Sequence, residues 1–156
     1  MIAPERAAMT RPGRRTAAGR AGALRTPVAW GVVLGCLQAA SPLAFFWLDP
    51  ATVYALGLVF IAAIYIGFGV ADGRANVLAV ETAVASGFVV VAAAGATGSG
   101  WLLVAGLAGH GLKDLWQHRT GFVANTRWWP PFCATVDFVV AAVIAVTIVA
   151  DVQIGW

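Results

Sequence analysis

Both histidines of this 156-residue chain, His110 and His118, lie in one short stretch, and Asp114 stands midway between them. Residues four apart on a helix share a face, so Gly106, His110, Asp114 and His118 point to roughly the same side. Cys133 and Asp137 repeat the spacing, just inside a helix that Pro130 and Pro131 would start. Neutral imidazole and carboxylate are ordinary ligands for zinc and other divalent metals, and a His and an Asp one turn apart can share one ion. His110 and His118 are harder to combine, because eight residues of helix separate their backbones by about 12 Å. A single ion would take His110 with Asp114, or Asp114 with His118, and complete its shell from Asp137, Glu81 or Cys133. In that chemistry His110, Asp114, Asp137 and Glu81 are the candidate metal ligands, and His110 or His118 the candidate catalytic base. The competing reading is an electrostatic lock, in which Asp114 or Asp137 pairs with Lys113, Arg119, Arg127 or a protonated histidine.

The elements that must position these groups are membrane helices. At 60% hydrophobic and 11% charged, the chain lies far from soluble domains, in which about a quarter of residues are charged. Five segments approach the roughly 20 residues needed to span a bilayer: 28–48, 51–71, 76–94, 99–116 and 131–150. The third and fourth would extend about 60 Å as one helix, twice the hydrocarbon thickness, so the Gly-rich 95–100 is a turn. Asp49-Pro50 and Asp72-Gly73-Arg74 make the other tight joints. The expected fold is therefore an all-α, five-helix transmembrane bundle over 25–156, preceded by a disordered basic tail over 1–24. That tail is read as an anchor for anionic headgroups, with the lipid bilayer as the partner and no role for nucleic acid. Cys36 and Cys133 fall in different spans and imply neither a disulfide framework nor a zinc-finger pattern.

Charge sets the expected orientation. With the N-terminus inside, all ten Lys and Arg fall on the cytoplasmic side and the C-terminus lies outside, which satisfies the positive-inside rule. Trp128 and Trp129 at one boundary, with Trp47, Trp101 and Trp156 at the other, fit interfacial belts. This topology puts Glu81, His110 and Asp137 roughly 5 to 12 Å below the cytoplasmic surface. Burying such groups unpaired costs several kcal/mol, so they are expected to face the interior and each other. Gly31 and Gly35 form a small-x-x-x-small pattern that lets backbones approach. Ser86 and Thr82 are read as bonding carbonyls of their own helices.

The His-x-x-x-Asp-x-x-x-His run, the short basic loop and the Trp-Trp-Pro-Pro-Phe-Cys-x-x-x-Asp run resemble the pattern of a family of small bacterial integral membrane proteins, a domain of unknown function. The resemblance covers His110 to Asp137, with a weaker part over Tyr65 to Arg74. It implies a multi-pass protein of the bacterial cytoplasmic membrane and brings no assigned activity. More distantly, the acids and histidines near one face are similar to intramembrane metal hydrolases of the ceramidase type. Three function classes follow: a metal-dependent or acid-base enzyme acting on a lipid or small amphiphile, a proton or cation transporter that five short spans would build as a homo-oligomer, and a non-catalytic scaffold. For the topology, reporter fusions at Gly73 and Asn125 are expected to read cytoplasmic and a fusion at Gly98 external; an external Asn125 would overturn the orientation.

Overall fold

The computed structural model describes residues 17–124 and 127–152, with side chains from residue 24 onward. Among the described residues there are six α-helices and no strand: α1 (Ala17–Ala39), α2 (Ser41–Ala44), α3 (Pro50–Asp72), α4 (Ala75–Thr97), α5 (Gly100–Thr120) and α6 (Trp129–Val149). α3, α4 and α6 are long and apolar enough to cross a membrane. That is fewer than the five spans expected. α1 and α5 have comparable lengths, but α1 carries Arg20, Arg25 and Gln38, and α5 carries His110, Lys113, Asp114, Gln117, His118 and Arg119. Their polar load, not their length, sets them apart.

The joints follow local chemistry. Asp49 caps α3, its carboxylate accepting from Ala51 N at 2.9 Å and Thr52 N at 3.3 Å, with Pro50 at the first helical position. α3 ends at Gly73, whose φ of 78° is left-handed, and α5 ends the same way at Gly121 with φ 62°. α4 and α5 are separate helices, as the Gly-rich turn predicts. The segment expected to run unbroken over 28–48 instead stops at Ala39, and Ser41-Pro42 opens the short α2. Tyr54 secures this break by donating to Ala39 O at 2.8 Å. α1 already begins at Ala17, ahead of the tail boundary drawn at 24; residues 1–16 lie outside the described residues.

α6 packs on α1 along one side and on α5 along the other, while α3 lies chiefly against α4. The core joins Leu58 and Ile61 of α3, Ala92 of α4, Leu103 and Leu107 of α5, and Val136, Val140 and Ile144 of α6. The α1 to α6 seam depends on the predicted glycine pair. A Cβ at Gly31 would come within 2.6 Å of Thr135 Cβ and 2.7 Å of Phe132 O, and one at Gly35 within 2.8 Å of Val139 Cβ. Ser86 donates to Thr82 O at 2.8 Å within its own helix, as read from the sequence.

A Gly35→Leu substitution is expected to destabilise the protein by about 1–3 kcal/mol through overpacking, whereas Gly87→Ala, where a Cβ meets nothing within 4 Å, is expected to lose nothing. Thermal unfolding in detergent, followed by circular dichroism, separates the two.

Candidate functional site

The site is built where α5 crosses α6, α3 and α4. Glycines flank its central histidine: a Cβ at Gly106 would meet Leu58 Cδ2 at 2.7 Å, and one at Gly111 would meet Phe138 Cζ at 3.0 Å. Their missing side chains let the neighbouring helices close around the imidazole. The His110 ring is held edge-on between Phe88 of α4, at 5.0 Å between centroids, and Tyr65 of α3, at 5.5 Å. His110 Nδ1 lies 2.8 Å from Asp137 Oδ2 and 3.7 Å from Asp114 Oδ2. The first is an interhelical hydrogen bond between α5 and α6; the second is too long for one. The side chains of all three residues are 0% exposed, and one ligand atom from each lies within 4.8 Å of the others.

A second layer sits beside this trio. Glu81 Oε2 pairs with Lys113 Nζ at 2.8 Å, and Gln117 Nε2 donates to Glu81 Oε1. The Lys113 ammonium also lies 3.5 Å from the centroid of the Tyr65 ring, a favourable cation–π placement. Tyr65 thus touches both layers, with its hydroxyl beside Asp114 but without a hydrogen bond of good geometry.

Several buried polar atoms have no hydrogen-bond partner: His110 Nε2, both Asp114 oxygens, Asp137 Oδ1 and Gln117 Oε1. Buried polar groups are normally satisfied, so such a concentration in one place is unusual. Charge is unbalanced as well. Glu81, Asp114 and Asp137 converge on one lysine, and that lysine pairs with Glu81. Two carboxylates therefore lack a fixed cation in a low-dielectric interior, where an uncompensated charge is costly. Protons or a bound cation would supply the balance.

The sequence reading brought the right residues together in part. His110, Asp114 and Asp137 form one group. Glu81 is buried close by but joins Lys113 and Gln117, so it is not a member of this group. His118 is only partly buried and also stands outside that group, with Nδ1 unpartnered; its place one turn past Asp114 does not carry it into the trio. Cys133 is buried but is likewise absent from the group. Of the lock pairings considered, His110 stands within ion-pair reach of both acids, at 2.8 Å from Asp137 and 3.7 Å from Asp114, while Lys113 goes to Glu81. Tyr65 and Gln117 were missed. A hydroxyl in the middle of an apolar helix, and an amide three residues beyond Asp114 and four beyond Lys113, were the available signals.

The α3 to α4 connection holds the start of the α5 to α6 loop. Asp72 Oδ2 accepts from Ala124 N at 2.8 Å, and Arg74 Nη2 donates to Phe122 O at 2.7 Å. The Asp72 carboxylate keeps the Arg74 guanidinium charged, above its ordinary value. Trp129, expected as an interfacial anchor, packs edge-on against Phe68 at 5.6 Å.

Replacing Asp137 with Ala strips the imidazole of its acceptor and is expected to cost about 3–5 kcal/mol, read as lost folded yield and a lower unfolding temperature. Asp151→Asn, at an exposed position with φ 50° that Asn adopts readily, is expected to change neither. The chain matches no protein-family model, no curated protein and no solved structure.

Proposed function

We propose that this chain is a five-span integral membrane protein that binds one divalent cation within the bilayer, through His110, Asp114 and Asp137, and that its activity is the handling of that cation. The observation that carries the reading is the trio itself: three fully buried ligands within 4.8 Å of one another, with carboxylate oxygens that no donor satisfies. One nitrogen and two carboxylate oxygens suit zinc or a similar first-row ion. Bound there, the ion would supply the positive charge that the two aspartates lack.

The five-span topology, N-terminus in and C-terminus out, is supported by the positive-inside distribution and by the packing of α1 and α5 against α6. A polar helix such as α5 is tolerated in lipid when its charged face is covered by its neighbours. The resemblance to small bacterial membrane proteins supports the bacterial cytoplasmic membrane as the location. A cation path through so small a bundle favours a homo-oligomer.

A second reading, a metal-dependent or acid-base enzyme acting on lipid, draws on one observation: His110 Nε2 is a buried ring nitrogen with no partner, as a general base needs. Against it, a headgroup would have to reach three side chains that are 0% exposed. This favours an ion or a proton over a lipid as the species that reaches the site.

Elemental analysis of the tag-free protein, purified in detergent and dialysed against zinc, is expected to find one ion per chain, and Asp137→Asn is expected to lose it while retaining the helical spectrum. A metal-free wild type would sink the reading and leave a proton-sharing lock.

A further inference from the structure

We propose that the Lys113 ammonium is the built-in occupant of an outer cation site, made by the Glu81 carboxylate, the Gln117 amide and the face of Tyr65, and that it must swing aside before an ion can reach His110, Asp114 and Asp137. This rests on the cation-binding reading of the inner trio and assigns the step that controls access to it.

Three observations converge. The outer groups are those that recognise a compact cation: a carboxylate oxygen at 2.8 Å from the ammonium and an aromatic face at 3.5 Å. Gln117, itself buried, has a carbonyl oxygen with no donor, on the same amide that binds Glu81 through Nε2. An ion taking the ammonium's place would find that oxygen as an additional ligand. Finally, exposure marks the route. The Lys113 side chain is 13% exposed and that of Glu81 1%, while Gln117, Tyr65 and the trio are buried. Within the two layers, Lys113 is thus the side chain that still meets the outside.

Lysine suits this role because its charge is a point at the end of a flexible four-carbon stem, which can leave without disturbing the helix. The ammonium moves outward as the ion moves in, so Glu81 faces a cation throughout the exchange. Tyr65 links the two positions, since one face carries the ammonium and its edge meets the His110 ring.

The test is stopped-flow binding of zinc ion to the tag-free full chain in nanodiscs, with release driven by excess chelator. Lys113→Met is expected to speed association and release together, by about tenfold or more if one ion pair leaves the barrier, with a much smaller change in Kd. Because Lys113→Met leaves the buried Glu81 without its cation, Glu81→Gln/Lys113→Met is measured beside it; with both charges removed it is expected to fold and to show the same acceleration. Lys113→Arg, which keeps a cation at the mouth, is expected to stay slow. Zinc binding with unchanged rates in the double variant would overturn the proposal, as would tighter binding that arises from slower release alone, since that is a through-space charge effect without gating. A wild type that binds no zinc overturns the inner site instead, and with it the footing of the gate.

Discussion

The hydrogen bond between His110 and Asp137 is the constraint on which the rest of the bundle turns. It joins α5 to α6 at a level where neither side chain has any exposure, and in hydrocarbon neither group would find a substitute partner in solvent. A helix as polar as α5 can lie among apolar neighbours only if this face stays covered. Gly106 and Gly111 make the coverage close, because Leu58 and Phe138 occupy the space their side chains would fill. Packing and polarity are therefore interdependent: the glycines let the helices close on the imidazole, and the hydrogen bond fixes which faces meet.

Around that bond the charges arrange themselves in two layers that share Tyr65. In the outer layer Glu81 has its cation, Lys113, and an amide donor, Gln117. In the inner layer the imidazole serves Asp137, and Asp114 is left with neither a donor nor a fixed cation. A structural lock would be expected to pair its charges throughout, since a half-satisfied polar network is less favourable than an apolar core. The outer layer has that character. The inner one does not, and that contrast supports the cation-binding reading of the trio.

Much of this arrangement was legible in the sequence. The four-residue spacing of His110 and Asp114 put them on one face, and the common depth of His110 and Asp137 anticipated their contact. The Asp49-Pro50 joint, the turn at Gly73 and the Gly31/Gly35 seam followed from residue chemistry that acts locally. What failed was partner choice. Glu81 shares the depth of the trio, yet depth leaves rotation about the helix axis open, and its face of α4 meets Lys113 and Gln117. His118 shares a face with Asp114, but near the end of α5 the neighbouring helices no longer enclose that face. The early end of α1 at Ala39 was hidden because Ser41 and Pro42 are both compatible with a helix start, and an uninterrupted apolar run conceals such a restart. Tyr65 was passed over because one tyrosine in an apolar helix has no periodic signature.

Asp114 is the group at which a proton or an ion would supply the missing charge. If a proton neutralised it, the new O–H would need an acceptor, and the nearest ring nitrogen, His110 Nδ1, is 3.7 Å away and already engaged with Asp137. That separation exceeds a hydrogen bond, which leaves the Tyr65 hydroxyl beside Asp114 as the group to which an O–H there would turn. Ligands that share an ion at bonds of about 2.0–2.2 Å stand about 3.4 Å apart in a tetrahedral shell, so the 2.8 Å contact between His110 Nδ1 and Asp137 Oδ2 would have to open for those two atoms to share one. The 3.7 Å spacing that is too long for a hydrogen bond is thus close to the spacing of two ligands on one ion. In the cation-binding reading, the full burial of the trio makes exchange of the ion dependent on movement of the side chains that cover it.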